Sequence, residues 1–170
     1  MSAPDDSSRR RAALGVAVHA AGVRLPLGRD VVAEIARGVL RAERVRAAEL
    51  SFTFVDAAAM AALNRRHLGH RGATDIITFE FAPVPGGARA GDVYVCPEVA
   101  RENARRHGVP VREETARLVI HGTLHVLGHE HPEDEGRTRS PMWRRQEQLL
   151  ARLYAPAERG PARTRPSEAA

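Results

Sequence analysis

Thr74-Asp75-Ile76-Ile77-Thr78-Phe79-Glu80-Phe81 is followed, with no helical pattern between, by Asp92-Val93-Tyr94-Val95-Cys96, entered through Gly91. Both runs are rich in β-branched and aromatic residues, the composition of strands. Upstream, Leu14 to Val23 has strand character, and Glu49-Leu50-Ser51-Phe52-Thr53-Phe54-Val55 alternates at period two, as a half-buried strand does. Helical periodicity fills the gaps. Asp30 is placed to cap a helix from Val31 to Arg41, with Val32, Ile35, Val39 and Leu40 on its apolar stripe, and Asp56 to cap a short one from Ala57 to Arg66. Downstream, Pro97 suits the first turn of a third helix, Glu113 to Leu127 is the longest helical pattern, and Pro141 to Leu153 is the last. The order β-α-β-α-β-β-α-α-α predicts an α+β (mixed α/β) domain: one central mixed sheet of about four strands covered by helices.

The 170 residues are enough for one domain with a real core. Residues 1–12 read as a mobile N-terminal arm, 13–155 as the folded domain and 156–170, without large apolar side chains, as a disordered tail. Apolar runs stop well short of the roughly 20 residues that span a bilayer, and no long apolar stretch follows Arg9-Arg10-Arg11. No transmembrane helix or secretory signal is therefore expected, and the cytoplasm is the default location. The lone Cys96 has no partner for a disulfide and reads as a quiet residue in or near a strand. The net charge is +5, and all 26 basic residues are arginine. That balance favours a polyanionic partner over an acidic small molecule. With 4% aromatic residues, base stacking is not expected to lead. Phosphate and shape contacts should dominate, and binding should weaken steeply with salt.

The longest helical pattern runs into His121-Gly122-Thr123-Leu124-His125-Val126-Leu127-Gly128-His129-Glu130-His131, which holds four of the eight histidines. His121 and His125 at i and i+4 share one helix face. Gly128 can end the helix in the left-handed conformation and let the chain fold back, bringing His131 toward the first two. Three imidazoles with an open fourth position form a catalytic rather than a closed structural zinc site, here at the end of a core helix. One Zn2+ per chain is the first expectation; nickel, copper or iron suit the same ligands. His129 is the rival of His131 for the third position, and otherwise reads as a solvent-facing residue or one that supports a ligand without touching the ion. Histidine spacing and Gly128 match the metalloprotease pattern H-E-x-x-H-x-x-G-x-x-H, but the place of its glutamate base is taken by Gly122. Peptide hydrolysis by that route is thereby disfavoured.

The same eleven residues resemble the H-G-x-L-H-L-x-G-Y-D-H signature of the YbeY family, bacterial metal-dependent endoribonucleases of ribosomal RNA maturation (the UPF0054-type metalloproteins). Leu63-Asn64-Arg65-Arg66-His67 followed by Thr74-Asp75-Ile76-Ile77-Thr78-Phe79 is similar to the family's L-N-x-x-Y-R…T-D-V-L-S-F-P, and Gly91-Asp92-Val93-Tyr94-Val95 to its G-D-I-x-I strand. Together the resemblance covers roughly residues 48–150. It implies a zinc-dependent, single-strand-specific endoribonuclease acting in 16S rRNA 3′-end maturation and ribosome quality control. It also implies RNA and the small ribosomal subunit as partners, and no small-molecule cofactor. Leu68 stands where the family carries an arginine thought to face the substrate; His70 and Arg71 are close enough in sequence to substitute.

On this reading His121, His125 and His131 hold the metal, Arg65, Arg66 and Arg71 meet the RNA, and Arg71 and Glu130 are the catalytic candidates. Glu130 is either an orienting partner of a ligand imidazole or a solvated side chain. Thr74 and Asp75 read as caps of local backbone or as cleft residues, and Asn64 as a left-handed helix end. Two other functions fit the same residues: a protease-like metal hydrolase, and a ribosome assembly factor whose metal only fixes the fold.

Overall fold

The computed structural model describes residues 13–82 and 85–154. The expected arm at 1–12 and tail at 156–170 lie outside the described residues. Four strands alternate with helices in the expected order: β1 (Leu14–Ala20), α1 (Arg29–Ala42), β2 (Ala48–Phe54), α2 (Ala57–Leu68), β3 (Ile76–Glu80), β4 (Arg89–Val95), α3 (Pro97–His107), α4 (Val111–Val126) and α5 (Pro141–Leu153). A short 3-10 turn, Arg137–Arg139, precedes α5.

The sheet order is β1-β2-β4-β3. β1 and β2, joined through α1, lie parallel, as do β2 and β4. The consecutive strands β3 and β4 are antiparallel, with Thr78 opposite Val93. No helix separates these two, so the chain turns straight back, whereas parallel neighbours require a long crossover. The result is a mixed sheet with β3 at one edge.

Period-two alternation sends the two faces of this sheet to different cores. On one face Phe52, Phe54, Val93 and Val95 are fully buried with α1, α4 and α5. Each such phenylalanine contributes about 1.5–3 kcal/mol relative to exposure. On the other face Ile77 packs with Met60 of α2, Val55 and Cys96, flanked by Phe79 and Tyr94. α4 is the central helix of the larger core: Leu118, Val119, Ile120, Leu124 and Val126 are all buried. Among the described residues no helix is long and apolar enough to cross a membrane.

Local chemistry sets the helix ends, with one departure from expectation. Asp56 caps α2 by accepting from the Ala59 N–H at 2.7 Å, and Ser140 caps α5 by accepting from the Trp143 N–H. Asp30 does not cap α1. The helix starts at Arg29 with Gly28 as its cap, and Asp30 lies in the first turn. There its charge still faces the positive end of the helix dipole.

Candidate metal centre

Two glycines place the histidines. At Gly122 a Cβ would lie 2.7 Å from Val93 Cγ1 and 3.0 Å from Ile76 Cδ1. α4 therefore rests directly on β3 and β4 at this point, which presents His121 and His125 along the sheet edge. The residue that reads as a missing protease base is a packing requirement. Gly128, at φ +87°, ends the helix. Its N–H bonds the His125 carbonyl at 2.9 Å, and the His129 N–H bonds that of Leu124 at 3.0 Å. These paired bonds form a Schellman motif, which reverses the chain at the helix end.

The turn brings His131 back. Nε2 of His125 lies 3.0 Å from Nε2 of His121 and 3.2 Å from that of His131, and the remaining pair is separated by 3.3 Å. Such separations match neighbouring ligand atoms around a single ion about 2.0–2.1 Å from each nitrogen. The outer nitrogens define the tautomers. His121 Nδ1 donates to Gln146 Oε1 at 2.7 Å, and His131 Nδ1 to the Pro132 carbonyl at 2.9 Å. Both partners only accept, so each Nε2 is left with a bare lone pair aimed at the other. A cation between them relieves that repulsion, and the donor set fits one.

Protonation is the alternative relief, and burial opposes it. His121 is pushed down to about 3, by burial first and the neighbouring His125 second, with Gln146 pulling the other way. His125 is pushed down to about 4, by burial and then by His131. His121 and His125 are thus neutral and ready to ligate at neutral pH. Because these folded values lie below the ordinary 6.5, the unfolded chain takes up protons first as pH falls. The stability that the neutral pair contributes is complete above about 6.5 and is lost as pH drops toward 4 and then 3. Thermal melts of chelator-treated protein should show Tm falling across that window, with no comparable loss between pH 7 and 8.

Gln146 was not singled out by sequence reasoning. It is 1% exposed on α5, and its amide nitrogen donates to Glu147, which turns its oxygen to His121. The available signal was a polar residue on an apolar stripe with Met142, Leu149 and Leu150. Groups that orient a ligand imidazole typically carry about 10–100-fold in metal affinity. Gln146→Leu should weaken metal binding by that factor, measured by competition with a chromogenic chelator.

The structure puts His131, and not His129, with the first two. His129 Nε2 donates to Glu43 at 3.2 Å, and Glu43 is held from the far side by Arg145 Nε at 2.6 Å. Glu130 is exposed beside a cleft of about 610 Å³ that contains all three clustered histidines. It does not hold a clustered imidazole: the outer nitrogens of His121 and His131 go to Gln146 and Pro132. Leu68 and His70 line the same cleft, whereas Arg65, Arg66 and Arg71 are exposed and line neither it nor the adjoining cavity. His67 packs edge-on against Phe79, with centroids 5.0 Å apart.

Asn64 is not a helix end. It is buried within α2, which stops at Gly69, and it donates to the Gly72 carbonyl at 2.9 Å, tying down the following loop. Asp75 lines both cavities and accepts from Thr74 Oγ1 and from Asn103 of α3. The Asp75 side chain therefore joins β3 to α3 rather than capping backbone.

The arrangement is that of an α/β protein with a three-histidine group able to hold a metal ion at the floor of a cleft. A family model described as Endoribonuclease YbeY matches residues 26–154, and the chain belongs to that family. Proteins named Endoribonuclease YbeY from Mycolicibacterium smegmatis and Rhodococcus opacus are 39% and 38% identical to it. Each match covers 64% of this chain, and 66% and 64% of the respective relative. The chain therefore matches just under two thirds of these relatives' length. The solution structure of TM1509 from Thermotoga maritima shares the fold, with a TM-score of 0.57 and 22% identity over 81% of this chain and 88% of that one.

Proposed function

We propose that this chain is a zinc-dependent endoribonuclease that cuts single-stranded RNA. The observation that carries the reading is the convergence of three Nε2 atoms, 3.0–3.3 Å apart, lining an open cleft. Family membership supplies the substrate class, since its relatives are named endoribonucleases.

His121, His125 and His131 would hold the ion, with Gln146 and the Pro132 carbonyl fixing the first and last rings. A bound Zn2+ acidifies water and polarises a phosphoryl oxygen. Glu130 and Glu133 bring exposed carboxylates to the same cleft, where either can take up a proton. Arg65, Arg66 and Arg71, exposed at the end of α2 and in the loop after it, would attract the RNA backbone from outside the cleft. Residues 13–155 would form the catalytic domain, working in the cytoplasm on the small ribosomal subunit. Action at the 3′ end of 16S rRNA and in ribosome quality control follows from the motif resemblance over residues 48–150.

The test is direct. Purified, metal-reconstituted protein should cleave an unstructured RNA and leave casein intact. Cleavage of casein would favour a protease-like hydrolase. Tight binding to small ribosomal subunits without any cleavage would favour an assembly factor with a structural metal.

A further inference from the structure

We propose that Arg137 grips the RNA phosphate at the three-histidine centre; this rests on the nuclease reading above. Two cavities, of about 550 and 610 Å³, meet at a wall shared by Asp75, His121 and Arg137. Among the described residues Arg137 is the one arginine lining the cleft that holds all three histidines. The other arginines of the adjoining cavity are occupied. Arg106 pairs with Glu102 at 3.2 Å, and Arg117 is held by Glu113, Glu114 and Glu147.

Arg137 makes no ion pair with any described residue, and its Nε is buried without a hydrogen-bond partner. A buried donor left unsatisfied is costly, so native structures rarely keep one without a reason. The main chain around it is tethered: the Arg137 N–H bonds the Asp134 carbonyl, and the Ser140 N–H bonds that of Arg137.

A guanidinium lining the same cleft as a metal ion sets two positive charges near each other. An anion touching both removes the conflict, and a phosphodiester has two non-bridging oxygens to offer. The planar fork of arginine suits that group, and its orphaned Nε–H supplies a donor. Across the cleft α2 presents Leu68, half exposed and apolar, so this wall offers no cation. The cation comes instead from the turn before α5.

The test uses inorganic phosphate as the probe, titrated calorimetrically into the full-length zinc-loaded chain. Arg137→Ala should weaken phosphate binding roughly 10- to 100-fold, with Arg137→Lys in between. Phosphate should inhibit RNA cleavage competitively in the wild type. The kcat/KM of Arg137→Ala should fall by a similar factor and recover in part with added guanidinium ion, but not with urea. Its Tm should not drop, because the side chain lacks a protein partner to lose. Phosphate binding and cleavage equal to wild type in Arg137→Ala would overturn the inference while leaving the nuclease reading intact. A drop in Tm with no rescue by lysine or guanidinium would also overturn it, by assigning the residue a structural role. Arg137-dependent phosphate binding in a wild type that cleaves no RNA would support the anion grip and defeat the nuclease reading alone.

Discussion

His125→Ala should abolish metal retention and lower RNA cleavage by on the order of 10³-fold or more, while the chain stays folded and still binds RNA. His125 lies within 3.0 and 3.2 Å of the other two Nε2 atoms, and its loss leaves a single pair separated by 3.3 Å. Two ligands do not complete a zinc site, and without the ion the reacting water would no longer be acidified toward neutrality. The fold should survive because alanine is the better helix former and His125 lies at the half-buried end of α4. The exposed arginines of α2 are untouched, so a filter-binding assay should still find RNA bound, weakened only by loss of the phosphate contact at the ion. Metal content by elemental analysis, cleavage and binding together separate loss of chemistry from loss of fold.

Gly122→Glu should be the most damaging single change to the fold, and it should not create a peptidase. The substitution completes H-E-x-x-H in the sequence. In the structure, however, the first added carbon already meets Val93 at 2.7 Å and Ile76 at 3.0 Å. Overpacking of a close contact costs about 1–3 kcal/mol, and burying an unpaired carboxylate between helix and sheet adds to it. Gain in helix propensity over glycine returns only about 1 kcal/mol. Urea unfolding should show a loss of roughly 3 kcal/mol or more, or no folded protein. Gly122→Ala should fall between the two. A well-folded Gly122→Glu variant that cleaved casein would show that α4 does not need this close approach, and would revive the protease reading.

Local chemistry made much of this legible. Alternation in β2, the capping Asp56 and the paired β3 and β4 runs follow from side chains a few residues apart, and the sheet formed as its composition implied. The insertion of β4 between β2 and β3 was not legible, because strand order depends on pairings between distant segments. The candidate site divides in the same way. His121 and His125 share a helix face by spacing alone, whereas the choice between His129 and His131 turns on Glu43, 86 residues away, drawing His129 aside. Gln146 lies 25 residues from the ring it orients. Arg65, Arg66 and Arg71 lie near the Thr74–Phe79 block in sequence, yet the arginine that lines the cleft of the histidines is Arg137, brought there by the turn that follows Pro132.

If three imidazoles hold one ion on which RNA cleavage depends, cleavage must follow metal content. Titrating zinc into chelator-stripped protein, while following cleavage of an unstructured RNA and the amount of bound metal, measures that dependence. The expected result is negligible cleavage by the stripped protein, a rise in proportion to bound zinc that saturates at one ion per chain, and no rise in His125→Ala. Full cleavage by verified metal-free protein, or zinc-dependent cleavage undiminished in His125→Ala, would contradict it.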